Sequence, residues 1–172
     1  SYTANNSPNN FTVSGWDIAM DDDGIGPLLD PDSYDPGSFS IIATVTTGGI
    51  MTGGSLVVTG NYTSTLGLSG VLLTGNLTAF GFTNGAFSEL FEFTYTVTGG
   101  LMATSQYFGL PGAPGGVIYD TGENVFNGTF TSDFSTSGFG PGGNADVAPI
   151  PEPATLSLML LAGLTLIRPS RR

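Results

Sequence analysis

No cysteine, no histidine and no lysine occur in these 172 residues, and the three arginines all lie in the last five positions. Each absence closes off some chemistry. Without cysteine there is no disulfide framework, thiolate nucleophile or redox pair. Without histidine or lysine there is no Ser-His nucleophile, no His-ligated zinc and no Schiff base. Residues 1–167 carry no basic side chain, so nothing in them neutralises phosphate, and nucleic acid is excluded as a partner. A phosphate-binding loop fails for the same reason, because it needs its lysine. Carboxylates are the titrating groups that remain, 14 of them against those three arginines, for a net charge of −11. Long apolar runs are also missing until residue 154.

Glycine (27), proline (11) and a hydrophobic content of 40% are what the chain does hold. That is enough apolar material for a core, divided by many turn residues. Apolar and aromatic runs at Phe11–Gly15, Phe39–Thr47, Ser55–Tyr62, Val71–Phe82, Leu90–Thr98, Val117–Asp120 and Val125–Phe134 alternate with Gly-Gly, Asn-Gly and Pro-containing breaks. The alternation is clearest where Phe91, Phe93, Tyr95 and Val97 interleave with Glu92, Thr94, Thr96 and Thr98. Period two with aromatics on one face predicts half-buried antiparallel strands. Val125–Phe134 is read the same way, with Phe126, Phe130 and Phe134 grouped together. No helical period appears before the tail. The Thr-Gly-Gly triplets at Thr47, Thr52 and Thr98 have no constant spacing, which argues against a solenoid.

The expected fold is therefore all-β, an antiparallel β-sandwich or jelly-roll-like domain of about seven or eight short strands, plus a C-terminal apolar helix. The expected division is a polar lead-in at 1–10, the β domain at 11–140, a Gly/Pro linker at 141–150 and a tail at 151–172.

The tail has three parts in order. Pro151-Glu152-Pro153 is followed by an apolar run, Ala154–Ile167, containing Ala154, Leu156, Leu158, Leu160, Leu161, Leu164, Leu166 and Ile167. Arg168, Arg171 and Arg172 close it. As a helix the run would rise about 21 Å, short of the roughly 30 Å hydrocarbon core, which suits a transient anchor. The basic end should stay cytoplasmic and the acidic bulk outside. Two prolines keep the motif extended and helix-free, a form a peptidase can engage.

This tail resembles the PEP-CTERM sorting domain of exported proteins in Gram-negative bacteria that make extracellular polysaccharide. The resemblance covers residues 151–172. It implies an exosortase as partner, with Pro151, Glu152 and Pro153 as the processing motif, transient anchoring in the inner membrane, and a destination at the cell surface or in the extracellular matrix. It also implies a secretion signal, which residues 1–10 do not contain, so a segment upstream of Ser1 is expected. On residues 1–150 it says nothing specific.

Within the body, seven aspartates crowd residues 17–35, half of all the acidic side chains. Asp21, Asp23, Asp30, Asp32 and Asp35 are the candidate ligands for Ca²⁺, which takes six to eight oxygens from flexible loops. The competing reading is a solvated loop that uses Asp for turns. Paired carboxylates of glycosidase type have two candidates, Glu89 with Glu92 and Asp120 with Glu123. Pleating would put the first pair on opposite faces, and Thr121-Gly122 makes the second a turn. Trp16, Tyr34, Tyr62, Tyr95, Tyr107 and Tyr119 are candidate sugar platforms or, more simply, core residues. Asn-x-Thr triplets at Asn10, Asn61, Asn76 and Asn127 are read as chance in a Thr-rich chain.

The expected function is a non-catalytic surface or matrix protein. A calcium-dependent carbohydrate-binding or adhesion module, with extracellular polysaccharide as partner, is the first alternative. A carbohydrate-active enzyme using paired carboxylates is the second.

Overall fold

The computed structural model describes residues 1–4, 9–16, 37–85, 88–122, 125–135 and 144–150. They form eight strands: β1 (Tyr2–Thr3), β2 (Asn10–Trp16), β3 (Ser38–Val45), β4 (Met51–Tyr62), β5 (Leu68–Asn84), β6 (Glu89–Gly99), β7 (Pro114–Asp120) and β8 (Asn144–Pro149). All belong to one antiparallel sheet in which each strand pairs with its sequence neighbours, in the order β1 to β8. The fold is all-β, and the described residues contain no helix. None is therefore long and apolar enough to cross a membrane among them.

Alternation in the sequence becomes alternation in burial. On β6, Glu89, Phe91, Phe93, Tyr95 and Val97 are buried, while Leu90, Glu92 and Thr98 are exposed. Phe11 and Val13 of β2, Ile41, Ala43 and Val45 of β3, Leu56 of β4, Leu73 and Leu77 of β5, and Val117 and Tyr119 of β7 join the same core. Every strand from β2 to β7 thus turns one side inward.

A flat sheet could not bring those sides together. Phe11 on β2 and Phe93 on β6 are four strand steps apart, about 19 Å at ~4.8 Å per step. Their ring centroids nevertheless lie 5.6 Å apart, and Phe11 to Phe91 is 4.8 Å. The sheet must curl until its two halves meet face to face. Register shifts at Thr44/Val45, Val58/Thr59, Thr74/Gly75 and Leu77/Ala79 supply the means, because a bulge bends its strand and adds twist. Three of the four lie in the pairings of β5, the longest strand, with β4 and β6.

The mouth of the curl is filled by residues 125–135. Phe126, Phe130 and Phe134 cluster with one another, at 4.8 Å and 4.9 Å for Phe126 to the other two. Phe134 bridges to Tyr2 through paired backbone bonds of 2.8 and 3.2 Å. The Tyr2 hydroxyl lies 3.1 Å from both Val45 O and Phe130 O, sharing its proton between the end of β3 and the plug.

The expected strand at Val125–Phe134 is not formed: the segment is a series of turns with one isolated bridge. Its three phenylalanines do come together. Asn127 explains the difference, since its Oδ1 accepts from the Thr129 N–H (3.0 Å) and the Thr129 hydroxyl (3.1 Å), an Asx turn that bends the chain. The two-sheet arrangement with jelly-roll crossovers is replaced, among the described residues, by one curled meander. The stretch read as linker contains β8. Ala145 and Val147 point toward the core there, while Asp146 and Ala148 face out. The C-terminal helix lies outside the described residues.

A second, smaller cluster of Tyr62, Leu72 and Met102 lies under the β6–β7 connection, with Leu66, Leu68, Tyr107 and Phe108 against it. Gly100 starts that connection at φ 110°, where a side chain would strike the carbonyl of Leu72.

Candidate functional site

Strand direction decides which connections share an end of the sheet. β2 ends at Trp16, β3 begins at Ser38, β6 ends at Gly99, β7 begins at Pro114 and β8 ends at Pro149. In an antiparallel meander these positions all fall at one end. The connection from β2 to β3 and the exit of the chain toward Pro151 therefore leave from the same end. Asp21, Asp23, Asp30, Asp32 and Asp35 themselves, with Tyr34, lie outside the described residues. So do Pro151–Pro153, the apolar run and the arginines. Among the described residues no three His, Cys, Asp or Glu side chains gather to hold a metal.

Glu89 and Glu92 do not converge. Glu89 is fully buried and faces inward, and Glu92 is exposed on the outer face of the same strand. The Glu89 side chain is occupied: Oε2 accepts from the Thr121 hydroxyl at 2.8 Å and Oε1 from the Phe126 N–H at 3.1 Å. The Thr121 hydroxyl also accepts from the Glu89 N–H (3.0 Å), and the Thr121 N–H donates to Glu89 O (3.0 Å). Glu89 therefore ties Thr121 and the 125–135 plug to β6. Asp120 Oδ1 accepts from the Gly122 N–H at 2.9 Å, and Gly122 has φ 65°, so this position is a turn as expected. Glu123 lies outside the described residues.

The candidate platforms are mostly core. Tyr62, Tyr95 and Tyr119 are buried, and Tyr107 is half-buried in the β6–β7 connection. Trp16 is placed only by its backbone, as the last residue of β2. Tyr95 is the most constrained. Its ring reaches past Gly115, its partner on β7, so that its hydroxyl comes within 3.4 Å of Ala148 O on β8. Burial raises the Tyr95 hydroxyl well above the ordinary tyrosine range.

The outer face is hydroxyl-rich. Cross-strand pairs Thr74–Thr98 and Thr78–Thr94 are each joined at 2.8 Å, and Ser38–Thr59 at 3.1 Å. Where β5, β6 and β7 carry Gly81, Glu92, Thr94, Gly116 and Ile118, the missing side chains leave a shallow groove of about 400 Å³. Cross-strand pairing sets Glu92 opposite Gly81 on one side and Ile118 on the other, and Ile118 opposite Asp146. The groove offers the Glu92 carboxylate and one hydroxyl, that of Thr94, in a lining that is otherwise glycine and apolar. A second hollow of about 530 Å³ lies at the exit end, between the β6–β7 connection and Pro149-Ile150.

The groove is a feature that sequence reading missed. The signal was present as Gly81 and Gly116 in phase with outward residues, but it needed the register to be seen. Asn61 and Asn127 have a local structural use: each accepts from the hydroxyl of the threonine two residues on, at 2.6 and 3.1 Å. Comparison of this chain with protein-family models, with curated proteins and with solved structures finds no match.

Proposed function

We propose that this chain is an exported, non-catalytic β domain of the cell surface or extracellular matrix, delivered by its C-terminal tail. The observation that carries the reading is the order of three elements within residues 151–172: Pro-Glu-Pro, an apolar run and a basic end. An exosortase would process the chain near Pro151–Pro153 after transient anchoring in the inner membrane, with the arginines on the cytoplasmic side. The curled sheet is read as sandwich-like, its β2–β3 side packing across the core on its β6–β7 side. The separation of Glu89 and Glu92 onto opposite faces supports the non-catalytic reading, because acid–base work on a glycoside needs both carboxylates on one cleft.

A second reading has its own observation. The open groove sets the Glu92 carboxylate and the Thr94 hydroxyl beside exposed Ile118, a surface that suits a saccharide, and the acid-rich 17–35 segment would supply Ca²⁺ ligands. Retention of the protein on the producing organism's extracellular polysaccharide, with millimolar Ca²⁺ and then with a chelator, separates the two. Retention abolished by the chelator supports the calcium-dependent binder. Retention in neither buffer leaves a surface component with no carbohydrate site and overturns the second reading.

A further inference from the structure

The folded sheet runs to the residue before the sorting motif. β8 pairs with β7 from Asn144 to Pro149, and the last of these pairs is Pro149 with Gly115. One residue further, the Ile150 N–H donates to Pro114 O at 3.1 Å. A side-chain carbon placed on Gly116 would meet the Ile150 side chain at 3.7 Å, an ordinary packing distance. Val147 packs against the core, and the Tyr95 hydroxyl reaches Ala148 O. Pro151 follows with no spacer.

A peptidase takes its substrate as an extended strand and pairs with several residues on either side of the bond it cuts. Hydrolysis breaks one peptide C–N bond, with water giving its hydroxyl to the acyl carbon and its proton to the leaving nitrogen. For any bond within 151–153, the residues needed on the N-terminal side include Ala148, Pro149 and Ile150. Those residues already have a partner strand.

We propose that the end of β8 gates removal of the tail: residues 148–150 leave β7 before Pro151–Pro153 are cut. This rests on the reading that the tail is processed. The gate is local, because β8 is the last strand in the sheet order and its end can part from β7 alone. Only the Ile150-to-Pro114 bond and the pairing of Ala148 and Pro149 must be released, and the sheet from β2 to β7 need not be disturbed. Processing then reports the state of the domain, since a chain whose β8 has not zipped presents its motif at once.

The test follows the full chain in cells that carry the processing enzyme, reading tail loss by mass over time. A Gly/Ser spacer of about six residues between Ile150 and Pro151 removes the need for opening, and tail loss should quicken about five- to tenfold. Gly116→Cys with Ala148→Cys places a cysteine pair on facing outer positions of a chain that has no other cysteine. Oxidation of that pair should stop tail loss, reduction should restore it, and the spacer should rescue the oxidised form. Equal rates for the native, spacer and oxidised forms would overturn the gate while leaving the sorting reading in place. Retention of the tail by every form, the spacer form included, would overturn the sorting reading and the gate with it.

Discussion

The ring of Tyr95 occupies the space that a side chain at Gly115 would need. The two residues are opposite one another on β6 and β7, and a Cβ built on Gly115 overlaps the phenol ring. Gly75 on β5 is nearly as close on the other side, at 2.7 Å from a built Cβ to the ring. The tyrosine lies across three strands because two of them have no side chain there.

Gly115→Ala should therefore be costly and Gly116→Ala should not. The first forces the ring out of its position, an overpacking of about 1–3 kcal/mol. A methyl at Gly116 meets only Ile150 and Phe93 O, at 3.7 to 3.8 Å. Urea unfolding of the two variants checks this. A midpoint for Gly115→Ala equal to that of Gly116→Ala would show that the ring has room to move.

Alkaline pH should unfold the protein in a way that depends on Tyr95. Its folded-state pKa is raised by burial, so the native state keeps the proton where the unfolded chain releases it. Stability is then fully present below about pH 10, the unfolded tyrosine value, and falls as pH rises above it by up to ~1.4 kcal/mol per unit. Tyr2 is raised by burial too and adds to the same fall. Tyr95→Phe should flatten the pH profile of unfolding free energy above pH 10. An unchanged profile would mean that the hydroxyl is ionised within the fold.

Glu89 should matter for the plug rather than for chemistry. Glu89→Ala removes the acceptors of the Thr121 hydroxyl and the Phe126 N–H and leaves an inner void, at a cost of about 1–3 kcal/mol. Glu89→Gln keeps one acceptor oxygen and should lose less. Hydrogen exchange would show the loss first at the amides of 126–134. Glu92→Gln, on the exposed side of the strand, should leave both stability and exchange unchanged.

The strands were legible where period two is uninterrupted, and β6 shows why. Phe91, Phe93, Tyr95 and Val97 set a phase that Glu89 shares, so its inward position could be read from the same alternation. What the alternation does not carry is pairing. Each strand announces one buried face, but whether those faces belong to two sheets or to one that curls on itself depends on long-range register and on bulges. The plug misled for a local reason. Phe126, Phe130 and Phe134 are four residues apart, a spacing that also suits successive turns, and the Asn127 and Gly128 between them favour turns over a strand. β8 was hidden by composition, because Gly142, Gly143 and Pro149 bracket a strand with two small inward residues, Ala145 and Val147.

A divalent cation, if it binds residues 17–35, should raise the melting temperature. Millimolar Ca²⁺ against chelator is the comparison, repeated with Asp21, Asp23, Asp30, Asp32 and Asp35 changed together to Asn. Binding to the native state alone stabilises by mass action, about 2.7 kcal/mol at a hundred times Kd. Equal melting temperatures in both buffers would leave those aspartates to solvent and turns.

Export and sorting are tested most directly by the fate of the tail. Trypsin has no site before Arg168, so residues 1–167 stay in one piece and the C-terminus can be read from a single mass. The decisive measurement is the mass of the protein recovered from outside the producing cells. A chain ending within or just beside Pro151–Pro153 is the predicted result. A chain that still carries Arg172, or one found only in the cytoplasm, would contradict sorting and processing by the tail.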